Sequence, residues 1–110
     1  MSVTPEQFAG IQVSHPGAKL LSDGSGEFVF LPRLPIKVGD ERLELDALLC
    51  PREHGGYNTR LFLAAPIPQR QRNWATHNIL GRVWHTWSWQ GVSSSLPLLQ
   101  MLVAHLKALR

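Results

Sequence analysis

The sequence predicts an α+β domain in which a four-stranded antiparallel meander is backed by a C-terminal amphipathic helix. Three observations carry that expectation. Between residues 18 and 65, β-prone runs alternate with turns rich in Gly, Asp and Pro. From Leu96 to Leu109, apolar residues recur at three- and four-residue steps, the spacing of one helical face. A chain of 110 residues, 44% hydrophobic, has material for one ordinary core and not for two, so a single domain spanning residues 1–110 is expected.

Taken in order, Thr4-Pro5-Glu6-Gln7 has the marks of a helix start: a Thr cap, Pro in the first turn and Gln at the reciprocal capping position. His15-Pro16-Gly17 ends it quickly, so the element is brief. Ala18 to Leu21 and Glu27 to Leu34 flank Ser22-Asp23-Gly24-Ser25-Gly26, whose residues supply hairpin-turn chemistry. Pro32 and Pro35 interrupt the second of these strands. Beyond Gly39-Asp40, the stretch Arg42 to Cys50 alternates charged and apolar residues and then becomes continuously apolar, as a strand does when it runs from an edge into a core. Pro51 to Asn58 is loop, and Thr59 to Ala65 is a fourth strand stopped by Pro66 and Pro68.

The final helix gathers Leu96, Leu99, Leu102, Val103, Leu106 and Leu109 into one stripe, with Ser93-Ser94-Ser95 as candidate caps and Pro97 in the first turn. Gln100, Lys107 and Arg110 then point away from the deepest part of the stripe. His15 and His105 read as surface or helix-flank residues.

The charge is unevenly spread. All eight acidic residues lie at or before Glu53, whereas residues 54–110 carry six basic residues and no carboxylate. A local carboxylate pair or Ser-His-Asp triad in the second half is thereby excluded. No apolar run approaches membrane-spanning length and the first residues lack signal-peptide character, so a soluble, cytoplasmic protein is expected. The single cysteine, Cys50, fits a reducing compartment.

All four tryptophans fall between Trp74 and Trp89, interleaved with His77, Arg82 and His85. So dense a cluster implies either a packed aromatic platform or a binding surface. Strand alternation places Val83, His85, Trp87 and Trp89 on one face and Trp84, Thr86 and Ser88 on the other. If one face is core, the indoles of the other are exposed.

Several chemistries compete for these residues. Cys50, His54, His77 and His85 are metal-ligand types, but no paired ligand spacing is present, so neither a metal nor any other cofactor is expected. Trp with Arg60, Arg70, Arg72 and Arg82 suggests base stacking and phosphate contacts, yet the arginines form no dense run and the N-terminal acids weaken the field, which disfavours nucleic acid. Cys50, with Arg52 and His54 near in sequence, is a candidate nucleophile; it equally suits a small buried hydrophobe closing the run Ala47-Leu48-Leu49.

The order of these parts resembles the ubiquitin-conjugating enzyme (UBC) superfamily. Tyr57 in a loop, the strand Arg60 to Ala65, the prolines, His77-Asn78-Ile79, Gly81-Arg82-Val83-Trp84, a Trp-Ser pair and a closing helix follow the family's sequence of a Tyr-Pro loop, a His-Pro-Asn turn, a Gly-x-Ile-Cys segment, a Trp-Ser-Pro and a helix. The Gly-Arg-x-Trp and Trp-Ser signatures are similar to prokaryotic UBC-like family E. The likeness covers Leu45 to Arg110.

That resemblance implies a UBC-like fold in a bacterial ubiquitin-like protein pathway, with a ubiquitin-like protein and a ubiquitin-activating-like enzyme as partners. The departures shape the expected role. His77-Asn78 lacks the family's proline, and Trp84 stands where relatives hold the catalytic cysteine; indole has no nucleophile for thioester transfer. The expectation is a domain that binds the carrier or its activating enzyme through Arg82, Trp84, His85, Trp87 and Trp89. The alternatives are a conjugating enzyme using Cys50 with His77 and Asn78, or an interaction module built on the Trp-rich segment.

Overall fold

The computed structural model describes residues 3–24, 26–53, 56–67, 74–87 and 91–108. The elements run α1 (Pro5–Gln12), β1 (Lys19–Asp23), β2 (Gly26–Val38), β3 (Glu41–Cys50), β4 (Arg60–Leu63), β5 (Ala75–Ile79), β6 (Arg82–Thr86) and α2 (Leu98–Lys107). All six strands join one antiparallel sheet in the order β1-β2-β3-β4-β6-β5.

This architecture corrects the expected fold class. A UBC-like fold is a helix-rich arrangement on a four-stranded sheet, whereas this chain is mostly a six-stranded antiparallel sheet with two short helices. His77-Asn78, likened in sequence to the His-Pro-Asn turn, and Gly81 to Trp84, likened to the Gly-x-Ile-Cys segment, instead lie in a hairpin, Ala75 to Thr86, that extends the sheet beyond β4. Its attachment is narrow: Leu63 and His85 are the registered pair, and the Thr86 hydroxyl donates to the Leu61 carbonyl at 2.8 Å.

Local chemistry accounts for most element boundaries. At α1, Thr4 Oγ1 accepts from the Gln7 amide and Gln7 Oε1 accepts from the Thr4 amide, a reciprocal cap with Pro in the first turn. In the β1–β2 hairpin, Asp23 Oδ1 accepts from the Gly26 amide at 3.2 Å. Gly26 has φ +143°, and a Cβ there would run into the Arg52 side chain.

Strand β2 continues through both prolines expected to interrupt it. Leu31 pairs with Ala47 but Leu34 pairs with Leu45, so one extra residue is accommodated in a bulge at Pro32-Arg33. Arg33 takes φ +48° there, and its amide donates to Asp46 Oδ1 at 2.9 Å. The bulge resets the alternation so that Leu34, Ile36 and Val38 point to the same side as Val29 and Leu31. Strand β1 ends its pairing at Phe30, which leaves the rest of β2 with one neighbour, the setting in which strand prolines are tolerated.

The sheet is buried on both faces. On one, Ile11 of α1 and Leu98, Met101 and Leu102 of α2 pack over Val29, Leu31, Ala47, Leu49, Leu61 and Leu63. On the other, Phe28, Leu48, Cys50, Phe62, Ile79 and Trp84 form a second cluster that no described helix joins. Helix α2 presents Leu98, Met101, Leu102 and His105 inward, a face rotated from the expected leucine stripe; Val103 is 39% exposed. Its N-cap is Pro97, with no side-chain capping bond. No described helix is long and apolar enough to cross a membrane.

Candidate functional site

The helix-free face concentrates cations over aromatic rings. Because residues two apart on a strand share a face, Phe28 with Phe30 on β2, Cys50 on β3, Arg60 with Phe62 on β4, His77 on β5 and Arg82 with Trp84 on β6 all lie on this side. Three guanidinium groups cap rings there: Arg52 lies 5.1 Å from the Phe28 centroid, Arg82 lies 4.6 Å from that of Trp84, and Arg60 lies 4.2 Å from Tyr57 and 5.8 Å from Phe62. The long side chains cover apolar ring faces while keeping charge at the rim of the cluster.

Arg60 is the unusual member. It is only 7% exposed, its Nε has no hydrogen-bond partner among the described residues, and burial lowers its pKa from the ordinary guanidinium value. Arg82, by contrast, donates from NH1 to Asp46 Oδ2 at 3.1 Å. The hydrogen bond from the Arg33 amide, opposed by burial and assisted by the Arg82 guanidinium, holds the Asp46 carboxyl below its usual pKa.

The sequence-selected residues are distributed unequally. Cys50 sits opposite Arg60 in the β3–β4 register, fully buried, its thiol donating to the Arg52 carbonyl at 3.6 Å. Burial pushes the thiol pKa up, and the charges of Arg52 and Arg60 only partly counter it. A thiol so placed stays protonated at neutral pH. His77 stands opposite Trp84, with its ring edge-on to Phe62 at 5.6 Å; burial, then the Arg60 charge, lowers its pKa. Asn78 is exposed on β5, opposite Val83.

The alternation expected across β6 is present, but it exposes neither indole. Trp84 is 2% exposed, donates from Nε1 to the Ile79 carbonyl at 3.2 Å, and packs edge-on against Phe30. Trp87 is equally buried on the opposite face, beside Trp74 and His105, and its Nε1 has no partner among the described residues. The premise that one face is core and the other solvent is therefore corrected: each face has its own core. His85 is half-buried on the helix side, opposite Thr76 and Leu63. Trp89 and His54 lie outside the described residues. Among the described residues, no three of His, Cys, Asp and Glu gather in a metal-binding group.

Sequence reasoning passed over Tyr57, Arg52 and the Arg60–Phe62 pair as site residues, although Arg-x-Phe in a short strand is itself a signal that a cation and a ring share a face. It also placed His105 at the surface, whereas His105 is 1% exposed and its Nε2 lies 2.8 Å from Thr59 Oγ1. Comparison with protein-family models, with curated proteins and with solved structures gave no match, so the UBC resemblance rests on its short motifs.

Proposed function

We propose that this chain is a protein-binding domain of a ubiquitin-like conjugation pathway, receiving an acidic surface of the ubiquitin-like carrier or its activating enzyme on the arginine-bearing sheet face. The observation that carries the reading is Arg60, a nearly buried cation stacked on Tyr57 and Phe62 with no carboxylate paired to it among the described residues. Charge complementarity of this kind selects a partner and fixes its register more than it adds bulk affinity.

The pathway assignment draws on the motifs His77-Asn78 and Gly81-Arg82-Val83-Trp84, which both lie in the β5–β6 hairpin. Binding is favoured over transfer on chemical grounds. Trp84 supplies no nucleophile, and the Cys50 thiol is buried and protonated.

The test mixes the full chain with bacterial ubiquitin-like proteins, their activating enzymes and ATP. The reading expects a stable complex without a thiol-reversible mass shift, weakened roughly ten-fold or more by Arg82→Glu. A mass shift that Cys50→Ser removes would instead establish conjugating activity. Salt-sensitive binding to single-stranded oligonucleotides, with no protein partner retained, would overturn the protein-binding reading.

A further inference from the structure

We propose that Arg60, framed by Tyr57 and His77, is a carboxylate-binding subsite that takes one acidic group of the protein partner. The inference rests on the protein-binding reading for the source of the carboxylate, but the chemistry of the subsite stands on its own geometry.

A guanidinium withdrawn from water to 7% exposure loses hydration that only an anion or several hydrogen-bond acceptors restore. Stacking on Tyr57 at 4.2 Å and Phe62 at 5.8 Å engages the flat faces of the group and leaves the donors to its edge. The Nε of Arg60 is buried without an acceptor among the described residues. Every Asp and Glu of the chain belongs to the described residues, and none forms an ion pair with Arg60. No Asp or Glu of the chain therefore pairs with this cation, which leaves the position of its counterion to an external carboxylate.

The neighbours set the ligand class. Asp46 is committed to the Arg33 amide and the Arg82 guanidinium, so of the three arginines on this face Arg82 is already paired with a carboxylate and Arg60 is not. A nucleic-acid strand is held by successive available cations along its phosphates, which this arrangement does not provide. One carboxylate, received on the planar N–H edge of one arginine, matches it. Burial, then the Arg60 charge, lowers the His77 pKa, so His77 adds no competing cation at pH 7.

The experiment is an NMR titration of the full chain with acetate, using chloride at equal ionic strength as control, followed by an acidic peptide and its Asn/Gln counterpart. Expected are a saturable shift of the Arg60 Nε–H signal, a rise in the His77 pKa as the anion offsets the arginine charge, and roughly ten-fold tighter binding of the acidic peptide. Arg60→Gln should abolish all three responses. If that variant fails to fold, the wild-type peptide comparison decides: equal affinity for the acidic and neutral peptides overturns the proposal. Displacement of acetate by an oligonucleotide at lower concentration than by the acidic peptide also overturns it. Acetate and peptide binding without capture of any ubiquitin-like partner supports the subsite and removes the pathway reading. Partner binding unaffected by Arg60→Gln does the reverse.

Discussion

Asp46 and Arg82 meet across the intervening strand β4, with Arg82 NH1 donating to Asp46 Oδ2 at 3.1 Å while Asp46 Oδ1 accepts the Arg33 amide at 2.9 Å. One carboxylate thus ties the bulge of β2 to the hairpin that extends the sheet. The bulge needs this acceptor because Arg33 sits at φ +48°, a conformation an L-residue adopts at a cost. The hairpin benefits because its ladder with β4 is short.

The two bonds of Asp46 separate by substitution. Asp46→Asn keeps an oxygen for the Arg33 amide and loses the ion pair, which is largely exposed, so a cost of about 1 kcal/mol or less is expected. Asp46→Ala removes both and leaves the bulge amide without its acceptor, for a cost of roughly 1–3 kcal/mol. Urea unfolding of both variants measures the difference. Because the folded carboxyl pKa is depressed, the wild-type contribution is present above the ordinary carboxylate value and is lost as pH falls through the folded one. Equal destabilisation by Asn and Ala would show that the Arg33 contact contributes nothing.

Trp84 and Trp87 are equally buried yet should respond differently to phenylalanine. Trp84 donates its indole N–H to Ile79, so Trp84→Phe loses that bond, leaves a smaller ring under Arg82 and Phe30, and should cost about 1–3 kcal/mol. Trp87→Phe deletes a buried N–H that has no acceptor, which offsets part of the lost packing, so its cost should be smaller. Chemical denaturation of the pair tests the ordering, and a larger loss at Trp87 contradicts it.

The sequence made α1 and the first four strands readable through chemistry that acts locally, such as the Thr4–Gln7 cap, the Asp23–Gly26 turn and the prolines after β4, and α2 readable through its apolar spacing alone. The β5–β6 hairpin was hidden because its turn is Leu80-Gly81, and leucine is not a residue that announces positive φ. The extent of β2 was hidden because the bulge that absorbs Pro32 depends on Asp46, which is distant in sequence. The rotated face of α2 has the same origin: His105 turns inward to meet Thr59, whose hydroxyl also donates to the Val92 carbonyl at 3.0 Å. Of the candidate site, the basic excess of the second half was legible, but the stacking of Arg60 on Tyr57 required the loop geometry.

Leu80 sits at φ +55° and Gly81 at φ +75°, so both central residues of the hairpin turn have positive φ, as a type I′ turn requires. Leu80 is 41% exposed, so its side chain returns little burial for the backbone cost. Leu80→Asn should stabilise the fold by about 1 kcal/mol, read as a higher denaturation midpoint with an unchanged slope. A lower midpoint would mean that the leucine makes a stabilising contact outweighing the strain.

His105 gives the fold a pH dependence of defined sign. Its imidazole is buried between α2 and the sheet, Nε2 lies 2.8 Å from Thr59 Oγ1, and burial lowers its pKa from 6.5 to about 4. The Thr59 hydroxyl donates its one hydrogen to Val92, so the arrangement calls for the neutral imidazole carrying its proton on Nε2 and donating it to Thr59. Between these two pKa values the unfolded chain binds the proton and the folded chain does not, so stability is complete above pH 6.5 and declines as pH falls toward 4. The pKa difference corresponds to a loss of up to roughly 3 kcal/mol across that window. Unfolding free energies measured from pH 4.5 to 7.5 should rise with pH, and His105→Gln should flatten most of that rise whatever its absolute stability. His15 and His77, whose pKa values are also lowered by burial, account for the residual slope. A variant that keeps the full wild-type slope would transfer the effect from His105 to those two residues.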